Sequence, residues 1–444
     1  MGQGKHLGDS KFRAIAQDNR PPQREQIWLA SLVILPYASY LALLVMLGLF
    51  VTALVSRGQQ VWRLCGQRGF GWLTAGLLLS ASFGLDRGEA FLQLANFLPF
   101  FVVFGILATV PSVVTQPFAK LEILARWLLL TALPMILLAM GEYGLKFSAV
   151  AARIQALPLP GWLLTRIYEP DFGHRARSVF GHPNVFSAYL VIVLGLGLGL
   201  LLKTLASDQQ LGQLWIEAGT VTLCVVAIFC TGSRNGMLIA LVLLAIALYA
   251  ARRVRWVLFA GLVGAGAIAA AISGLGLGGR SLSLSMLSQD PRVGVWRLAI
   301  EMIKQRPWLG WGFSSLRSLY VPNSIPDYDA ISHAHNTWLF LASEAGIPVM
   351  VGFCAVIGTL YYDGVKTFIT AGLPAENRAI LLGYLLAFAS CLMFALFDVI
   401  LFDARINILS WGLLAAIYAL SHHSSSLAPP NLTPISSPTQ IGRE

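Results

Sequence analysis

The chain has 444 residues, 56% of them hydrophobic and only 12% charged, with a formal net charge of +10. That balance excludes an ordinary water-soluble domain. The basic residues are scattered between apolar stretches and collect on no soluble face, which argues against nucleic acid and for anionic lipids and phosphates as partners.

A membrane-crossing helix needs roughly 20 apolar residues, and stretches of that kind fill most of the chain. Residues 1–27 are polar and charged with no apolar run leading to a small-residue cleavage site, so they are expected to form a cytoplasmic tail and not a signal peptide. Spans are predicted near 28–56, 69–84, 90–110, 127–141, 185–203, 214–231, 235–251, 254–273, 336–360, 379–397 and 404–420, giving a polytopic membrane domain over 28–420. Pro36 can divide the first stretch, which raises eleven spans to twelve and puts both termini on the cytoplasmic side. Arg57, Arg63, Arg68, Lys120, Arg126, Arg252, Arg253, Arg255, Lys366 and Arg378 lie in connections that the charge rule assigns to the cytoplasm. Alternation then sends the connections at 85–89, 142–184, 232–234, 274–335 and 398–403 to the outer face.

Inside the second long loop, residues 292–306 place Val295, Leu298, Ala299 and Met302 at helical spacing among charged residues, which predicts an amphipathic helix ended by Pro307. Gly310 and Gly312 then supply a turn. The tail from Ser421 to Glu444 is rich in Ser, Pro and Thr and is expected to be disordered. Cys65, Cys224, Cys230, Cys354 and Cys391 show neither a disulfide framework nor a zinc spacing.

Three outer-face clusters carry candidate chemistry. Arg234, in the short turn Thr231-Gly232-Ser233-Arg234-Asn235-Gly236, must emerge at the mouth of the helix bundle, where an unpaired cation is costly unless it has a task. His174, Arg175 and Arg177 precede Gly181-His182-Pro183-Asn184, where Asn184 can cap the next helix and the helix dipole adds to the positive potential. His333-Ala334-His335-Asn336 stands at the entry to another span; a histidine ordinarily titrates near neutrality, so His335 can take a proton from a hydroxyl nucleophile. Arg177, Arg234, Arg292 and Arg297 together offer planar forks suited to a diphosphate. His333 and His335 as zinc ligands would need further partners that the spacing does not name, so neither a metal nor a cofactor is expected.

In its ordered motifs the chain resembles the O-antigen ligase and O-antigen polymerase superfamily of bacterial membrane glycosyltransferases. The matching stretches are Arg177-Ser178-Val179-Phe180-Gly181-His182-Pro183-Asn184, Thr231-Gly232-Ser233-Arg234, Arg292 with Trp296, Pro307 and Gly310-Trp311-Gly312, and His335-Asn336 followed by Glu344-Ala345-Gly346-Ile347. The resemblance implies a twelve-helix bundle of the GT-C type in the bacterial inner membrane, with its active site facing the periplasm. It also implies an undecaprenyl-diphosphate-linked glycan as donor, lipid A-core, a glycan or another hydroxyl as acceptor, and metal-independent, inverting transfer. Arg234, Arg177 and Arg292 then resemble the diphosphate-binding arginines and His335 the general base, with Arg297, His182, Asn184, His333 and Asn336 as further substrate contacts. Ligation, polymerisation and protein glycosylation share these motifs. The absence of an appended soluble domain places protein glycosylation behind the other two, and a transporter or flippase using the same charged groups is the alternative.

Overall fold

The computed structural model describes residues 23–146, 150, 152–153, 156–158, 160–161, 172–207, 211–251, 290–326 and 328–427. These residues form an all-α integral membrane protein, with no strand among them. Apolar chain in lipid must satisfy its backbone internally, and the helix does this within one segment. Eight helical stretches are long and apolar enough to cross a membrane, and Phe70–Ser82 and Arg234–Ala250 are shorter apolar helices. The expected span at 254–273 lies outside the described residues.

Pro36 divides the first hydrophobic stretch as the sequence suggested, into α1 (Gln23–Ile34) and α2 (Ser39–Gln67). The amides of Tyr37 and Ala38 turn back to the Ile34 carbonyl, so the break leaves neither amide unpaired. The second piece runs for 29 residues through a kink at Arg57. Then come α3 (Phe70–Ser82), α4 (Arg87–Gln93), α5 (Leu98–Ala108) and α6 (Pro111–Thr115).

α7 (Pro117–Leu145) is much longer than the predicted 127–141. Its charged first turns are helical because their charges are paired: Glu122 meets Arg126 at 2.9 Å and Lys203 at 2.7 Å, and Arg126 reaches Glu217 at 3.6 Å. Lys203 ends the central helix α8 (Pro183–Ala206), and Glu217 belongs to α9 (Leu211–Cys230), so these pairs tie three helices at one end of the bundle. α10 (Arg234–Ala250) follows.

α8 is buried along most of its length and packs on α15 (Ala375–Phe394) with the two backbones nearly touching. A Cβ at Gly199 would stand 2.4 Å from the Gly383 Cα, and one at Gly195 would stand 2.5 Å from the Ala387 nitrogen. Small residues at such a crossing permit the close approach by which helices associate in lipid.

The amphipathic helix appears as α11 (Pro291–Gln305), with Val295, Ala299 and Met302 buried and Leu298 half-buried. A short α12 (Ser315–Leu319) follows. The predicted single span 336–360 is instead two helices, α13 (Thr337–Glu344) and α14 (Ile347–Thr370). The 307–312 turn explains the break: Trp311 and Gly312 donate to the carbonyls of Ser343 and Glu344, and Ile347 donates to Pro307. Gly310 and Gly346 both have positive φ, and a Cβ on Gly346 would lie 2.3 Å from the Trp308 carbonyl oxygen. The Glu344 carboxylate completes the joint by accepting from the Ser314 and Leu316 amides at 2.9 and 3.0 Å. α16 (Ala404–Leu427) closes the described chain and runs seven residues past the expected limit of the span, so Ser421–Leu427 is helical and not the start of a disordered tail. Residues 428–444 lie outside the described residues.

Candidate functional site

At the end of the bundle opposite Lys203, connections far apart in sequence meet. Asn336 ends the histidine segment and caps α13, accepting from the Trp338 and Leu339 amides at 2.9 and 3.0 Å. Its own amide donates to the Leu396 carbonyl at 3.0 Å, while Thr337 N–H donates to Ala395 and the Thr337 hydroxyl to Asp398. These bonds stitch the histidine segment to the connection between α15 and α16. Asn336 is thus committed to holding two loops together.

The stitching places His335 beside Asp398, with Nδ1 3.5 Å from Oδ1. His335 sits at φ +47°, a left-handed conformation seldom taken by a side-chain-bearing residue and one that collects at functional sites. Its ring stacks on Tyr328 at 5.5 Å. Burial by itself raises the Asp398 pKa, but the nearby His335, then the charges of His333 and Arg292, outweigh it and hold the carboxyl below the usual carboxylate range.

His333 packs at 4.5 Å from the His335 ring, and its Nδ1 accepts from the His335 amide at 3.2 Å. His182 makes the same local bond at the start of α8, where its Nδ1 accepts from the Asn184 amide at 3.0 Å. The helix cap is therefore His182, not Asn184. Burial, followed by the charge of Arg175, pushes the His182 pKa down to about 4. Burial, followed by the charge of His335, brings His333 to about 4 as well. Both rings are neutral at physiological pH, with the proton on Nε2.

Asn184 turns its side-chain oxygen to the Arg175 guanidinium at 2.6 Å, and Arg175 also donates to the Thr231 carbonyl at 2.8 Å. Arg177 stands over the Phe172 ring at 5.7 Å, and His182 meets the edge of the same ring at 5.0 Å. Arg292 opens α11, and its charge bears on Asp398, His333, His182 and Tyr328. Asp290 caps that helix through the Arg292 amide at 3.0 Å and lies 3.8 Å from the Arg234 guanidinium. Arg297 is exposed on the same helix. Five residues on from Arg292, it points about 140° around the axis, away from the cluster.

His333, His335 and Asp398 are of metal-ligating type, and their candidate ligand atoms lie within 4.8 Å of one another. The donor set suits a cation poorly. The Nδ1 lone pair of His333 is already taken by an amide, which leaves Nε2 carrying the proton, and the charge of Arg292 bears on both His333 and Asp398.

Residues 219–354 match a family model described as O-antigen ligase. Over that stretch the chain is similar to the O-antigen ligase family. No curated protein matches it. The matched stretch contains Arg234, Arg292, Arg297, His333, His335 and Asn336. Arg175, Arg177, His182, Asn184 and Asp398 join the site from outside that stretch. Sequence reasoning missed Asp398, Asp290 and Tyr328 and gave Arg175 no binding role. The available signal for Asp398 was a carboxylate, one of two with Asp403, in a short loop between two apolar spans, on the same side as the histidines.

Proposed function

We propose that the protein transfers a lipid-diphosphate-linked glycan to an acceptor hydroxyl at the outer face of the bacterial inner membrane, without a metal and with inversion at the anomeric carbon. The observation that carries this reading is the meeting of the His335–Asp398 pair with Arg175, Arg292 and Arg234 at one end of a membrane bundle. A base faces several guanidinium groups, as a reaction that releases a diphosphate requires.

Asp398 faces Nδ1 of His335 and favours the tautomer that leaves Nε2 free to accept a proton. The acceptor hydroxyl gives that proton to His335 as its oxygen bonds to the anomeric carbon, and the bond from that carbon to the diphosphate oxygen breaks with its electron pair leaving on the diphosphate. Arg292 and Arg234 face the growing negative charge, Arg177 extends the positive surface, and Arg175, buried against Thr231 and Asn184, adds its charge from behind. His182 and His333, neutral and protonated on Nε2, donate hydrogen bonds to oxygen atoms of the substrate. Undecaprenyl diphosphate is the expected carrier and lipid A-core or a growing glycan the expected acceptor, so ligase and polymerase chemistry share this site. The GT-C assignment and the periplasmic orientation belong to the same reading.

The test is transfer from a purified undecaprenyl-diphosphate-linked glycan by the reconstituted protein, with and without a chelator, offered lipid A-core and glycan acceptors in turn. Product of inverted configuration, formed equally with chelator present, supports the reading. Carrier-linked glycan that crosses the vesicle membrane without product, whatever the acceptor, overturns it in favour of transport.

A further inference from the structure

A buried charge pair beside the site has no part in the chemistry above. Glu142 and Lys146 lie one turn apart at the end of α7, with Lys146 fully buried and Glu142 nearly so. Lys146 Nζ donates to Glu142 Oε1 at 2.7 Å and to the Arg175 carbonyl at 3.0 Å. The other carboxylate oxygen accepts from the Arg177 amide at 3.0 Å and from the Ser178 amide at 2.8 Å. The pair's bonds outside its own helix thus go to the backbone of the segment that carries Arg175 and Arg177.

That segment is not regular structure. Ser178 has φ +53°, and its hydroxyl donates to the Met135 carbonyl at 2.9 Å. On the far side the Ala176 amide donates to the Cys230 carbonyl, and the Arg175 side chain to Thr231. The loop is therefore held between α7 and the end of α9, four residues from Arg234. Burying two charges is expensive and contributes little net stability, whereas breaking such a pair is severely disruptive. A pair retained at that expense, with its bonds directed at one short backbone stretch, fixes a geometry more than it stabilises the fold.

We propose that Glu142 and Lys146 are positioning residues that hold the Arg175–Arg177 backbone so that the Arg177 guanidinium faces the diphosphate of the donor with the buried Arg175 charge behind it; this rests on the function proposed above. Glu142 acts through the two amides it accepts from, and Lys146 neutralises it and fixes the Arg175 carbonyl. Shortening Glu142 by one methylene, as in Glu142→Asp, keeps the charge balance but draws the carboxylate about 1.5 Å away from the amides.

The experiment is binding of farnesyl diphosphate, a short polyprenyl diphosphate, to the full-length protein in nanodiscs, with melting temperature measured on the same samples. Wild type, Arg234→Ala, Glu142→Asp and the neutral double variant Glu142→Gln/Lys146→Met are compared. The inference expects about tenfold weaker binding in Glu142→Asp at a melting temperature within a few degrees of wild type. The double variant, in which one amide carbonyl replaces a carboxylate serving two donors, is expected to bind at least about threefold more weakly, which keeps the test open if Glu142→Asp does not insert. Unchanged affinity in whichever variant folds, with or without a lower melting temperature, overturns the positioning role. Failure of wild type itself to bind, or indifference to Arg234→Ala, instead overturns the functional reading on which it rests.

Discussion

Replacing Asp398 by Asn tests the site at one atom. The substitution keeps the shape of the side chain and removes a negative charge 3.5 Å from His335 Nδ1. Two unit charges at that distance interact by about 5 kcal/mol at an effective dielectric constant of about 20. The two side chains are 20% and 16% exposed, so solvent screening reduces the share that survives. Taking about half leaves roughly 2–3 kcal/mol of stabilisation for the imidazolium that forms as the acceptor hydroxyl loses its proton, or roughly a hundredfold in rate. Steady-state transfer assays on Asp398→Asn should then show kcat lowered about 10²-fold with the donor KM nearly unchanged, because the charge acts only once His335 is protonated. A kcat within about threefold of wild type would refute the assignment of Asp398 to His335, and a loss confined to KM would move Asp398 into donor binding.

Arg292→Ala and Arg234→Ala should each lower kcat/KM by about 10²-fold, whereas Arg297→Ala, exposed and turned away, should stay within about threefold of wild type; the three are compared in one transfer assay. His182 and His333 have pKa values lowered to about 4, so between about pH 6.5 and 4 the unfolded chain binds protons that the folded chain excludes, and stability falls as pH falls through that window. Each group contributes at most about 3 kcal/mol, and Asp398, whose pKa is also lowered, adds to the loss only as pH falls through and below the ordinary carboxylate range. The melting temperature should therefore drop from pH 7 to pH 5 in wild type and drop less in His182→Gln/His333→Gln. Gly346→Ala should destabilise by about 3 kcal/mol, because a Cβ would meet the Trp308 carbonyl at 2.3 Å on a residue with φ +92°. Gly141→Ala, with nothing within 4 Å of the added methyl, is the control in the same melting experiment.

Hydropathy made the helices legible because lipid punishes unpaired backbone wherever it lies, so length and apolarity suffice. It failed where a local partner changes the rule. α7 extends through Lys120, Glu122 and Arg126 because Lys203 and Glu217 lie on other helices, and the break at Gly346 depends on a turn some 35 residues earlier in the chain. The arginine and histidine motifs could be read because each stands at a helix entrance, where a cation or a titrating ring is conspicuous. What they share could not be read, since Asp398, Asp290 and Tyr328 belong to no motif and matter only through the residues they face. Asn336 shows the converse: it lies in a motif, yet its side chain is spent on capping α13 and holding Leu396.

The central claim is that His335 accepts the acceptor's proton while the arginines hold the diphosphate. Its most direct test is acceptor-dependent release of undecaprenyl diphosphate from the lipid-linked donor, measured for wild type and His335→Ala alongside farnesyl diphosphate binding. Release should fall by about 10²–10⁴-fold in His335→Ala with binding retained. Release at the wild-type rate, or binding lost together with release, would contradict it.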